Sequence, residues 1–137
     1  MSTFFKSIAL AAQGLRAQSG RMRIVAENIA NADSAPTKAG EEPYRRKVAT
    51  FERRYDATLG GQGVSLGRVR VDGSAFRPRY APGHPAADAN GFVSMPNVDS
   101  LIEQADMREA QRSYEANVNV ISATRRMIAR TLDILKI

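Results

Sequence analysis

His84 is the only histidine in the 137 residues, so no His pair exists for a metal ion or a proton relay. It sits in Pro82-Gly83-His84-Pro85, a rigid turn, and no orienting partner is evident, which points to a structural role. Asp88 and Asn90 have the alternating oxygen-bearing pattern of a calcium loop, but the other positions of such a loop are missing. Together with Gly91 they read as an Asx turn. Gly60-Gly61-Gln62-Gly63 lacks the Lys and Ser/Thr that complete a phosphate-cradling loop and reads as a hairpin tip. Glu27-Asn28 and Asn31 lie near the end of a helical stretch, where capping and hydrogen bonds across helices account for them. The chain has no Cys, which excludes disulfides, thiolate zinc sites and cysteine nucleophiles. No catalytic, cofactor-binding or metal-binding residue is assigned, and the chain does not read as an enzyme.

With chemistry set aside, the residues must serve structure or association. A formal charge of +6 raises nucleic-acid binding as a class. The basic residues are scattered, however, with acidic residues among them, which is the pattern of solvated faces and interface ion pairs. The apolar run Ile8-Ala9-Leu10-Ala11-Ala12 after Lys6 breaks at Gln13-Gly14, so no cleaved signal is expected. No segment approaches the roughly 18 apolar residues of a membrane span.

Both ends of the sequence read as long amphipathic helices. From about Thr3 to Ala30, Ile8, Leu15, Met22 and Ile29 recur every seven residues, and Ala11, Gln18 and Val25 sit three positions after the first three. This is a coiled-coil seam with one polar interruption, weakened by Gly14 and Gly20. Asn31-Ala32-Asp33-Ser34-Ala35-Pro36 ends it. The second helix is expected from about Val98 to Leu135, with Asn97 or Asp99 as its cap and Glu103 favouring its first turns through the helix dipole. Met107, Tyr114, Ile121, Ile128 and Leu135 recur at seven, with Val118 and Leu132 four residues after two of them. Val120, Met127 and Ile134 form a parallel row one position earlier. The stripe is therefore wide enough for more than one neighbour.

The middle, about Asp33 to Pro96, contains every Pro and most of the Gly. Tyr44, Lys47-Val48 and Phe51 point to one strand. Val64-Ser65-Leu66 and Val69-Arg70-Val71 alternate in opposite phase, with Gly67 at the switch, where a bulge shifts the register by one residue. Phe76 and Tyr80 flank Pro78 in an edge strand or extended arm. Phe92-Val93 forms a last short strand. The expected fold class is α+β: two long terminal helices pairing as a coiled coil, with a small mostly-β and extended-loop insert between them. The expected divisions are residues 1–32, 33–97 and 98–137. A helix of about 28 residues is roughly 42 Å long, whereas a compact globule of this chain length has a diameter under about 40 Å. An elongated unit that associates through its stripes is expected. The interface residues are then Ile8, Leu15, Met22, Val25 and Ile29 of the first helix and Tyr114, Val118, Ile121, Ile128, Leu132 and Leu135 of the second. Arg45, Arg46, Tyr80, Pro82, His84 and Pro85 are expected on an arm that meets neighbouring subunits.

Several segments also carry a family resemblance. Glu27-Asn28-Ile29-Ala30-Asn31-Ala32-Asp33 resembles the Asn-rich motif near the N-terminus of flagellar axial proteins. Pro43-Tyr44-Arg45-Arg46-Lys47 with Phe51, and Tyr80-Ala81-Pro82-Gly83-His84-Pro85-Ala86-Ala87-Asp88-Ala89-Asn90-Gly91, are similar to segments of flagellar basal-body rod proteins. So are Met95-Pro96-Asn97-Val98-Asp99, Asp106-Met107 and Arg112-Ser113-Tyr114-Glu115-Ala116-Asn117-Val118. The resemblance covers nearly the whole chain. It implies a non-enzymatic subunit, without cofactor, that leaves the cell through the flagellar type III export apparatus and joins the rod crossing the periplasm. Its partners would be copies of itself and other rod proteins, with the terminal helices in the inner layer of the tube. The competing reading is a basic nucleic-acid-binding module with a helical dimerisation arm, but it lacks aromatic stacking platforms and a reading helix.

Overall fold

The computed structural model describes residues 2–136 of the chain. In chain order the elements are α1 (Ser2–Ala30), β1 (Lys47–Val48), β2 (Phe51–Asp56), β3 (Gly61–Leu66), β4 (Arg70–Val71), β5 (Arg77–Tyr80), β6 (Phe92–Met95) and α2 (Ser100–Leu135). Two helices enclose a small strand-containing insert and pair with each other, so the class is α+β as expected. Helix α1 ends where Asn31 N–H bonds back to the carbonyls of Glu27 and Asn28 and the Asn31 amide donates to Glu27 O (2.8 Å). Helix α2 begins on Asp99, whose Oδ1 accepts from Leu101 N–H at 2.9 Å and Ile102 N–H at 3.4 Å, a side-chain N-cap. Of the two expected caps, then, Asp99 takes the role and Asn97 is used elsewhere.

The chain forms two compact units that interleave along the sequence. One comprises α1 as far as Met22, Thr50–Arg68 and α2 from Arg108; the other comprises Arg23–Ala49 and Val69–Met107. In the first unit the helices run antiparallel. Phe5 and Ile8 share an apolar groove with Ile121, Ile128 and Leu132, and Arg21 reaches Glu109 (3.9 Å). At Gly14 an added Cβ would stand 2.9 Å from the Asn117 amide.

The β2–β3 hairpin belongs to this unit and pairs Phe51 with Leu66 through to Asp56 with Gly61. Its loop is 57–60, closed by Asp56 Oδ1 accepting Thr58 N–H (2.8 Å) and by Gly60 at φ +61°. Only Gly60 of the expected Gly-rich tip is in the loop, because Gly61 to Gly63 already pair in β3. Gln13 explains why. It accepts Val64 N–H (3.2 Å), donates to Asp56 Oδ2 (2.7 Å) and fills the space that a Cβ on Gly63 would need. Gly20 likewise lies against Leu66, where an added Cβ would come within 2.7 Å. The glycines read as weak points of the first stripe are thus positions of close approach.

In the second unit β1 pairs with β4, Lys47 opposite Val71 and Val48 opposite Arg70. Two residues separate β1 from β2, but three separate β3 from β4, so the register shifts by one. The shift falls at the expected switch, where Gly67 N–H donates to Thr50 O (2.7 Å). Strands β5 and β6 pair with Pro78 opposite Ser94 and bury Val93 and Met95 against Ala86, with Ala35, Ala81 and Ala87 around them. The turn before β6 is an Asx turn: Asp88 Oδ1 accepts from Asn90 and Phe92 N–H, both at 2.9 Å, and Gly91 has φ +83°.

Candidate assembly surfaces

In the second unit the site is a polar hub. The Asn28 side chain is 1% exposed and uses all its hydrogen-bonding capacity. Its Nδ2 donates to Lys47 O (2.7 Å) and Glu103 Oε2 (3.0 Å), and its Oδ1 accepts from Tyr44 Oη (2.7 Å) and Lys47 N–H (2.9 Å). Glu103 is equally buried and pairs with Arg46 Nε. Arg46 also faces Asp72 (3.6 Å), and its backbone N–H donates to Asn97 Oδ1 (2.8 Å). Asn97 in turn donates to Asp72 O (3.1 Å) and to Ser74 Oγ (3.0 Å), which is why it does not cap α2.

The hub's electrostatics follow from this packing. Burial, then the negative charges of Glu27 and Glu103, push the Tyr44 hydroxyl up to about 12. Burial opposes the charge on Arg46, but the hydrogen bond and charge of Glu103, with Asp72 and Asp106, outweigh it and raise its pKa. The Ser74 backbone N–H holds the Asp72 carboxyl below the usual range, with Arg46 adding to the effect. The expected hydrogen bonding of Asn28 across helices is present. The sequence reading missed its partner, because an acid in a first helical turn is already explained by the helix dipole.

The expected interface residues fall into two groups. Ile8, Leu15, Met22 and Ile29 are half-buried, Val25 is buried, and Tyr114, Ile121 and Ile128 are half-buried. Val118, Leu132 and Leu135 are exposed, the last by 75%. The most buried row of α2 is not its apolar one. Glu103, Ala110, Asn117 and Thr124 recur every seven residues, and all but Asn117 are buried. Hydropathy passes over this row because its members are small or polar.

Among the expected arm residues, Tyr80, Pro82 and Pro85 are exposed, while His84 and Arg45 are partly covered. Tyr80 meets Phe92 edge-on at 5.3 Å, and Arg45 stacks over Phe76 at 4.2 Å. His84 Nδ1 accepts Ala86 N–H (3.0 Å), which stiffens the turn. Arg46 is directed into the hub. Among the described residues no group of three or more His, Asp or Glu could hold a metal ion, and no helix is long and apolar enough to cross a membrane.

Known proteins share this sequence nearly end to end. A curated "Flagellar basal-body rod protein FlgC" of Agrobacterium fabrum is 53% identical over 93% of this chain and 91% of its own length. The proteins of the same name from Bacillus subtilis and Salmonella typhimurium are 38% and 40% identical, over 98% and 91% of the chain and 99% and 92% of theirs. The chain belongs to the FlgC family of flagellar basal-body rod proteins. A family model described as "Flagellar basal body rod FlgEFG protein C-terminal" also matches residues 89–134, essentially β6 and α2. Members of the FlgC family are structural rod proteins rather than enzymes. Nothing in these similarities supports the nucleic-acid-binding reading. The basal-body rod is where the family is found.

Proposed function

We propose that this FlgC-family protein builds the proximal rod by polymerising through its terminal helices, as a drive shaft that crosses the periplasm and carries torque. It reaches the rod through the flagellar type III export apparatus without a cleaved signal, and its neighbours are copies of itself and other rod proteins. The observation that carries this reading is the apolar surface left open on α2 of a rod-family chain: Val118, Val120, Met127, Leu132, Ile134 and Leu135 are all exposed. Residues of this type on a helix face are normally covered, and a neighbouring helix covers them by knobs-into-holes packing. The exposed turn carrying Tyr80, Pro82 and Pro85 adds contacts away from the helices.

The test substitutes Val118 and Leu135, both open and outside the groove that Leu132 shares with Phe5 and Ile8, together by Asp in a motile strain. Isolated basal bodies should lack the rod and cells should not swim, while the purified variant keeps its helical circular dichroism and melting point. A photo-cross-linker at position 82, in the turn between β5 and β6 of a chain with unaltered helices, should capture a rod neighbour. Normal motility with Asp at 118 and 135 would overturn the reading.

A further inference from the structure

Asn90 is the one asparagine of six that precedes a glycine; the others precede Ile29, Ala32, Val98, Val118 and Val120. The difference is chemical. A deprotonated backbone nitrogen can attack the side-chain carbonyl carbon of the Asn before it, and a side chain on the attacking residue obstructs that approach. Here the fold requires the unobstructed residue. Gly91 has φ +83°, and a Cβ there would stand 3.0 Å from the Tyr80 ring and 3.1 Å from Pro82.

The folded turn nevertheless holds the two reacting groups apart in their chemistry. Gly91 is buried, and its N–H donates to Asp88 O at 3.0 Å. Its carbonyl accepts Ala81 N–H at 2.9 Å. Asp88 Oδ1 accepts from the N–H groups on either side, those of Asn90 and Phe92. Removing the Gly91 proton would forfeit a hydrogen bond and set a negative nitrogen beside the Asp88 carboxylate. The Asn90 side chain, by contrast, is exposed and has no hydrogen-bond partner among the described residues. The electrophile is free and the nucleophile is locked.

We propose that Asn90 is a site of spontaneous deamidation, closed while the Asp88 turn is folded and open whenever that turn opens. The Gly91 nitrogen forms a bond to Asn90 Cγ, the Cγ–Nδ2 bond breaks, and Nδ2 leaves as ammonia with the proton that Gly91 has lost. Water then opens the five-membered imide at either carbonyl, which gives Asp or isoaspartate at position 90. Isoaspartate adds a methylene to the backbone before Gly91. That carries Gly91 and Phe92 away from Asp88, at the start of the strand that buries Val93 and Met95. A change made while the turn is open thus prevents it from closing.

The full-length chain can be incubated in mildly alkaline buffer, folded or in guanidinium chloride, and then digested with trypsin. The peptide of residues 80–108 carries both Asn90 and Asn97, so the second is an internal reference. Asn90 should be lost at least about tenfold faster from the unfolded chain, because slow chemistry on an opened segment tracks the population of the open form. Asn97 should persist in both. The slowing on folding should match the protection of the Gly91 amide against hydrogen exchange, since both need the same hydrogen bond broken. Asp88→Ala should raise the rate in the folded chain severalfold, whereas Asp88→Asn, which keeps the oxygen acceptor, should stay slow. Equal rates in the folded and unfolded chains would overturn the proposal, as would loss of Asn97 as fast as Asn90. So would an Asp88→Ala chain as slow as the parent; if that variant lacks a cooperative melt, the comparison with hydrogen exchange decides alone. The outcome is independent of the one at positions 118 and 135.

Discussion

Asn28 is a helix residue that behaves like a rung of a sheet. Its amide exchanges both hydrogen bonds with the Lys47 backbone and still holds Tyr44 and Glu103. Removing it strands a buried carboxylate oxygen, a hydroxyl and two backbone groups. Asn28→Ala should therefore cost about 3 kcal/mol or more, read as a lower urea midpoint at unchanged m-value. Tyr44 gives the hub an alkaline signature. Its hydroxyl is pushed up to about 12, above the ordinary 10. Between these values the unfolded chain has lost the proton that the folded chain keeps, so stability is complete below pH 10 and falls as pH rises toward 12. Melting points across that window should fall less steeply in Tyr44→Phe, which has no proton there to lose. The type and position of Asn28 made its bonding legible in the sequence. Its partners lie 16 to 75 residues away, and no local pattern encodes them.

The helices themselves were legible because a seven-residue apolar period and the turn residues around it are local signals. How they pair was not. Large apolar residues mark the stripe, whereas the buried row of α2 is Glu103, Ala110, Asn117 and Thr124. Small residues allow the close approach, Gly14 does the same on α1 opposite Asn117, and Gly20 and Gly63 do so between α1 and the β2–β3 hairpin. A glycine in a helix or strand lowers its intrinsic propensity, so its packing role shows only once the neighbour is in place. Gly63 offers a direct check. Gly63→Ala should displace Gln13 and lose its two hydrogen bonds, destabilising by about 1–3 kcal/mol. Gln13→Ala should cost a similar amount, and the double variant scarcely more than either single one, because both act on one contact. Additive losses in denaturant unfolding would place the Gly63 effect elsewhere. The register shift at Gly67, by contrast, was readable from the reversal of alternation alone.

At the scale of the whole molecule, the placement of the stripe residues changes which substitutions test assembly. Ile121 and Ile128 line the groove shared with Phe5 and Ile8. A charge there would damage the chain's own helix pair, so loss of the rod would say nothing about neighbours. Leu132 lines the same groove, whereas Val118 and Leu135 are open and outside it, and Asp at these two positions leaves the pairing intact. Charge is also arranged in a way that composition conceals. The net +6 is the total of two units that interleave in sequence, one strongly basic and one nearly balanced. Only the fold sorts the residues between them.

The three sheets have two strands each, so every strand in the described residues is an edge. An open edge is a template for pairing with any extended chain. The strand sequences counter it. Arg53 and Arg54 interrupt β2, Arg77, Pro78 and Arg79 occupy most of β5, and Gly61 and Gly63 thin β3. These residues act as gatekeepers against amyloid-like stacking, so the open edges of the insert resist unplanned strand pairing.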